Sequence, residues 1–541
     1  MADVDNRRDY RGGGGYGGGR GYNKRKRNRG KPSPIAPLSH PPYLTSPHYP
    51  EDDDDHQGGG YGGYRNPRPR QEAPPGTKIR RGLLEIAEDP LRLADETAAN
   101  IAKLAAENWE DEYVRDTFCT VALKLVVEQP FKIPFVAGVV LYANAENGDV
   151  AQEVLGRAGP QLQEVLEKGD WREVKLLLRF LACMAQLYEE DGVLPVLEEL
   201  FNRAVDLQTG SQDDVVGIEL VKVILLTIPY LLASAGEGEA VGTLQQKASE
   251  VLEKTDVVAG TAHPFEAMVD PYPDANEEGE KPMQAASVIS LLQRQLQEEA
   301  SNAWQLKCIP RVYVPKHPSP DANGDATEEE TNGDAPKEFP KHPFPALTVP
   351  STVSAGPRTL FPEIYFSLYA DQEIASVPPT TNIASSILRD AILDTINLLD
   401  FNRNVVARLL SEIDCFFPPG TFVKRATAFD KLRDLQSANK PTWKPEDVAI
   451  DAIFGQIFQL PAPEHRLVYY HSLVTESCKI APGAIAPSLG RAIRFLFRSV
   501  GEMDLEGGYR FMEWFAHHLS NFEFRWKWAE WYVSPSHFPQ Q

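Results

Sequence analysis

From about residue 79 onward, apolar positions recur every three to four residues, the period of a helix with one buried face. The longest unbroken stripe is Val174, Leu177, Leu178, Leu181, Met184, Ala185 and Tyr188, with Asp170 placed to cap its start and Gly192 to end it. Phe118, Val121, Ala122, Leu125 and Val126 repeat in the same way, and Pro130 and Pro134 mark a break and a restart. The pattern predicts further helices over Val193–Leu207, Val215–Leu232, Leu244–Leu252 and Val288–Leu306. After a polar interval it predicts Ile383–Asn397, Val405–Ile413, Val448–Gln459, Leu467–Cys478 and Ala484–Val500. No segment alternates with period two between hairpin turns, so sheets are not expected. Short Gly, Pro and Asp turns about every 20 residues suggest stacked antiparallel helix pairs of the HEAT kind, an all-α solenoid.

The densest aromatic stretch is Tyr509–Trp531. Phe511, Trp514, Phe515, His518, Leu519 and Phe522 share one helical face, which reads first as core. Trp526, Trp528 and Trp531 follow it and are candidates for a partner interface. Arg491, Arg494 and Arg498 recur at i, i+3 and i+7 on the preceding helix. The plainer reading is the solvated side of an amphipathic helix, and the sharper one is a basic ridge for an acidic peptide or an RNA backbone.

The ends and the middle have a different character. Residues 1–78 offer little to bury, being Gly-, Arg- and Pro-rich, and are expected to form a disordered tail. A first helical domain is expected over 79–313, an acidic and Pro-rich linker over 314–357, and a second helical domain over 358–541. The chain of 541 residues carries a net charge of −22, yet residues 1–31 hold ten Lys or Arg against three Asp. The folded part is therefore strongly acidic, which argues against a general nucleic-acid sleeve. Lys24, Arg25, Lys26, Arg27 and Arg29 form a basic run suited to an import signal or a phosphate-binding arm. Arg11, Tyr16, Arg20 and Tyr22 lie among the glycines and are candidate RNA contacts through charge and stacking; a plain flexible spacer is the alternative.

Little points to chemistry. There is no P-loop, nucleophile elbow or HExxH motif, and the five cysteines stand singly with no CxxC. This spacing suits buried free thiols, and no catalytic residue, cofactor or metal is expected. His518 is expected in the core with a satisfied ring nitrogen, and His517 facing solvent. Glu219, Lys222 and Pro229 interrupt the most apolar run, which therefore reads as a buried helix and not as a membrane span.

Two segments carry a family resemblance. His517-His-Leu-Ser-Asn-Phe-Glu-Phe-Arg-Trp526 and Ile453-Phe-Gly-Gln-Ile-Phe-Gln-Leu-Pro-Ala-Pro463 resemble the large subunit of the nuclear cap-binding complex, and weaker similarity runs from about Ile86 to Trp531. Read by itself, the Leu-Pro-Ala-Pro element is helix punctuation that fixes a turn. The resemblance implies helical repeats related to the middle domain of initiation factor 4G and a heterodimer with a small RNA-recognition-motif subunit that holds the methylguanosine cap. It also implies a basic import signal near the N-terminus, a nuclear location with shuttling to the cytoplasm, and links to splicing, export and decay factors. In the family a third helical domain follows, whereas this sequence stops at Gln541 shortly after Trp531, so the second domain is expected to be incomplete. Within the same fold group the alternative is a cytoplasmic translation or mRNA-decay scaffold; a generic HEAT-type adaptor is the other.

Overall fold

A computed structural model describes residues 73–531, apart from residues 91, 237–238, 274–281, 284–285, 315–338 and 370–371. The basic run at 24–29 and the Arg and Tyr positions at 11, 16, 20 and 22 lie outside the described residues. Residues 71–541 cluster as one unit.

The described residues are helical, with no β-strand among them beyond two isolated bridges, Tyr188 with His342 and Ser287 with Ile364. The first ten helices are α1 (Pro75–Glu85), α2 (Ala94–Glu107), α3 (Glu112–Glu128), α4 (Ile133–Glu146), α5 (Gly148–Lys168), α6 (Trp171–Ala182), α7 (Leu194–Gly210), α8 (Val215–Ala233), α9 (Glu239–Ala259) and α10 (Val288–Ser301). Seven more follow: α11 (Ala384–Leu398), α12 (Arg403–Ser411), α13 (Asp430–Ser437), α14 (Pro445–Ile457), α15 (Leu467–Ile480), α16 (Pro482–Ser499) and α17 (Leu505–Asn521). Their starts follow local chemistry. The side chains of Asp111, Asn147, Asp170, Asp214, Asn402 and Asp504 accept from backbone N–H groups in the first turn. Prolines open α1, α4, α7, α14 and α16, where the missing N–H costs nothing.

Near neighbours in sequence stack on one another: α1 on α3, α2 on α4, α5 on α6, α7 on α8 and α9 on α10. In the C-terminal half α11 packs on α14, α12 on α15, α14 on α16, and α15 on α17. This is an α-solenoid, and its apolar seams run together into one large core. α8 is long and apolar enough to cross a membrane by composition, but nearly all of it is buried among its neighbours.

Several predicted boundaries move. α6 ends at Ala182, where Cys183 caps it, and Ala185–Leu187 form a separate 3-10 turn; the stripe to Tyr188 is two pieces, and Gly192 lies beyond both. α10 stops at Ser301 because Ala303, Trp304 and Leu306 adopt positive φ, although Trp304 and Leu306 remain buried. α9 is more than twice the predicted length. The linker stretch is also structured where it is described: residues 339–357 lie extended against α4, α5 and α6.

Five free cysteines are present; Cys119, Cys183, Cys308 and Cys478 are buried, and burial pushes each thiol up to about 12. Such thiols are inert at neutral pH.

Candidate functional site

Two features join the halves of the solenoid and shape its far edge. The first is a buried ionic seam between α6 and α11. Arg172, Lys175 and Arg179 project from successive turns of α6, and Asp390 and Asp394 from successive turns of α11. Lys175 Nζ lies 2.8 Å from Asp390 Oδ1 and 2.8 Å from Asp394 Oδ2. Arg179 pairs with Asp390, and Arg172 Nη1 donates to Glu464 Oε1 at 2.7 Å. Three cations thus face three carboxylates, all largely out of water. Burial alone would raise the Asp390 pKa, but Arg179, Lys175 and Lys222 overcome it and hold the carboxyl below its ordinary value. Burial and the adjacent Asp390 charge raise that of Asp394. The two charges inside α8 are also paired, with Lys222 Nζ 3.7 Å from Glu219 and 2.9 Å from Glu363.

The second feature begins where Glu464 sits, in the turn after Leu-Pro-Ala-Pro. This turn is held from α17. Arg510, almost fully buried, donates to the carbonyls of Ile457 (3.1 Å), Gln459 (2.8 Å) and Pro461 (2.7 Å). Phe454 of α14 meets the fully buried Trp514 edge to face, ring centroids 4.6 Å apart. The first segment that carries the family resemblance is therefore the clamped turn, and the second, from His517, is the last turn of the helix that clamps it and the residues that follow.

Beyond that clamp the aromatic stripe rises to the surface. Phe515 packs edge-on against Trp526 at 5.9 Å and lies 5.2 Å from Trp531, which in turn stacks on Phe497 of α16 at 3.9 Å. Trp528 stands at the rim, 44% exposed. Arg494 lies over the Trp526 ring at 5.4 Å and pairs with Glu530 at 2.7 Å. Trp526, Trp528, Trp531 and Arg494 thus form one shelf. Arg491 does not join it: it pairs with fully buried Asp447 and stacks over Phe429 at 4.5 Å. Arg498 is exposed one turn further along α16.

The histidines differ from expectation. His518 is wedged between Trp514 (5.4 Å) and Phe522 (4.7 Å), and its buried Nδ1 has no hydrogen-bond partner among the described residues, because ring faces surround it. His517 is half-buried, turned toward His471 of α15 at 5.5 Å by the packing of α17 on α15. Burial, with a smaller contribution from His517, pushes both His471 and His518 down to about 4. Each is neutral when folded, whereas in the unfolded chain each takes up a proton near its ordinary value of about 6.5. Stability present above that value should fall as pH drops toward 4, then level off for this contribution. Melting curves between pH 7 and 4 should show a shallower loss for His471→Gln/His518→Gln than for the parent chain. Equal slopes would mean that carboxylates alone set the acid limit.

Residues that sequence reasoning passed over carry much of this arrangement: Arg172, Lys175, Arg179, Asp390, Asp394, Glu464 and Arg510. For the first five the signal was present as basic residues at i, i+3 and i+7 within an apolar stripe and acids at i and i+4 within another; Glu464 and Arg510 gave none. Among the described residues no group of three His, Cys, Asp or Glu side chains converges on a metal-sized site.

Comparison with known proteins agrees with this geometry. Residues 378–538, which contain α11 to α17, match the MIF4G-like domain family. Nuclear cap-binding protein subunit 1 of Schizosaccharomyces pombe is 28% identical over 74% of this chain and 48% of its own length. The chain's curated homologues across fungi, plants and animals are named nuclear cap-binding protein subunit 1. Nuclear cap-binding protein complex subunit 1 of Saccharomyces cerevisiae is 26% identical over 86% of this chain and 56% of its own length. The human protein named nuclear cap-binding protein subunit 1 is 23% identical over 81% of the chain and 48% of its own length. The chain spans about half the length of these curated relatives. In the MIF4G-like region of this chain, α14, α15 and α17 build the clamped turn, and α16 and α17 carry the shelf.

Proposed function

We propose that the chain is a non-catalytic scaffold subunit of a nuclear cap-binding complex, bracing a small RNA-recognition-motif subunit on the 5′ methylguanosine cap. What carries this reading is the similarity over 74–86% of the chain to proteins named as cap-binding subunits. The physical role follows from the fold. A solenoid locked by a buried ionic seam offers a rigid surface on which a partner's mobile segments can be ordered in advance, so that cap binding loses less conformational entropy. The Trp526–Trp531 shelf with Arg494 is the surface we assign to partner contact, since exposed aromatic and Arg side chains dominate interface energetics. Other faces would connect capped transcripts to splicing, export and decay factors. The run at 24–29 would act as the nuclear import signal, and the Arg and Tyr residues of the Gly-rich tail as weak RNA contacts.

Retention on methylguanosine resin tests the reading. The purified chain alone should pass through. Co-expressed with the small subunit, and with a form extended to the relatives' length as reference, it should be retained by way of that partner. Retention of the chain alone, or failure of both forms to be retained with the partner, would sink it. Imaging of tagged protein with and without residues 24–29 should show nuclear accumulation that depends on them; a cytoplasmic intact chain would favour a translation or decay scaffold instead.

A further inference from the structure

The extended segment from Phe339 to Ser354 is held as a peptide ligand is held. Its backbone is read by side chains of the helices beneath it. Gln163 of α5 makes a two-way contact with Thr348, accepting from its N–H at 2.9 Å and donating to its carbonyl at 3.1 Å. Asn144 of α4 donates to the Pro340 carbonyl at 2.9 Å, and Trp171 Nε1 of α6 donates to the Ser354 carbonyl at 2.9 Å. Near its start, the His342 N–H donates to the Leu187 carbonyl at 2.7 Å, and the Glu189 N–H donates to the His342 carbonyl at 3.2 Å, the pairing of a one-residue added strand.

The seat is cut for proline rings. A Cβ on Gly159 would stand 2.8 Å from Pro345 Cβ, so any larger residue in α5 would push the ring out. Gly148 gives Pro340 a similar but looser clearance, 3.2 Å. Residues 339–362 contain no Asp or Glu and carry Lys341 and Arg358, whereas α5 is net acidic, with Asp149, Glu153, Glu164 and Glu167 against Arg157 and Lys168, which pair with Glu153 and Glu164. The hold is shallow, for Lys341, Pro343, Ala346, Thr348 and Ser354 are exposed and only His342 and Val349 are buried.

We propose that this seat on α4, α5 and α6 is a receptor for extended, acid-free, proline-rich peptides. The chain's own residues 339–354 occupy it as a tethered pseudo-ligand that a partner's peptide of the same chemistry displaces. Tethering gives the internal segment an effective concentration on the order of millimolar. A competing peptide therefore binds well only when the tethered copy is weakened or when other contacts add to its own.

The test uses a fluorescent synthetic peptide of residues 339–356, titrated into the full chain by anisotropy. The released variant Pro345→Glu/Val349→Glu should bind it at least tenfold tighter than the parent chain. Adding Gly159→Leu to the released variant should remove at least tenfold of that affinity, and a scrambled peptide should not bind. The idea is overturned if the released variant keeps its helical circular dichroism and cooperative melting but does not bind. It is equally overturned if release abolishes cooperative folding, since the segment is then core, or if parent and released chains bind alike, since the peptide then sits elsewhere.

Discussion

Asp390→Ala should destabilise the folded unit by about 3–5 kcal/mol, a large share of the roughly 5–15 kcal/mol that stabilises an ordinary protein. The substitution deletes the carboxylate that Lys175 approaches to 2.8 Å and that also pairs with Arg179. Two cations are then left in a site where Arg179 is 2% exposed, with only Asp394 to compensate them. The cost is that of an uncompensated buried charge, not of one lost hydrogen bond. For this reason Arg179→Met/Asp390→Leu should recover most of the loss, because it removes a neutral pair and fills the space with apolar side chains. Urea unfolding of the parent, Arg179→Met, Asp390→Leu and Arg179→Met/Asp390→Leu closes a cycle that measures the coupling. A single mutant within about 1 kcal/mol of the parent would mean that water reaches the seam and the pairing contributes as little as a surface ion pair.

That seam also shows where sequence reading stops. Arg172, Lys175 and Arg179 stand at i, i+3 and i+7, the same spacing as Arg491, Arg494 and Arg498. The first set is the buried joint between the two halves. The second splits into a buried partner for Asp447, a surface bracket over Trp526 and an exposed Arg498. Spacing places side chains on one face of a helix, but the carboxylates that meet that face lie 211 to 292 residues away for the first set and 36 to 44 for the second, which local periodicity cannot specify. The helix class and the limits of α8, α11 and α15 were legible because each combines a long apolar stripe with a clear start or stop. α4 was not, because it is apolar on all sides and so has no stripe. α5 was hidden by Pro160 and three glycines, of which Gly148 and Gly159 make the seat for the extended segment. This edge was half legible: aromatic density marked Trp526, Trp528 and Trp531, but not Arg510, which besides its Glu506 pair holds backbone carbonyls that no pattern of side chains reports.

Arg510 is where the second large effect is expected. Arg510→Ala leaves the Ile457, Gln459 and Pro461 carbonyls without their charged donor, in a turn that α17 otherwise covers. Hydrogen bonds to a charged group contribute about 1.5–3 kcal/mol each, and these three share one guanidinium, so a total near 3 kcal/mol is expected. The loss should be local first. Phe458, Gln459 and His465 have amide hydrogens bonded within or beside the turn, and their exchange should quicken by about 100-fold, the rate equivalent of that energy. Glu464 leaves Arg172 when the turn loosens, so the ionic seam should weaken with it, and Arg510→Ala and Asp390→Ala should combine non-additively. Arg510→Lys should restore only a fraction, because an ammonium group cannot span three carbonyls that a planar fork reaches together. Unchanged exchange at 458, 459 and 465 in a folded Arg510→Ala protein would mean the turn is held by its prolines alone. The clamp would then contribute nothing to the rigid edge on which the scaffold reading depends.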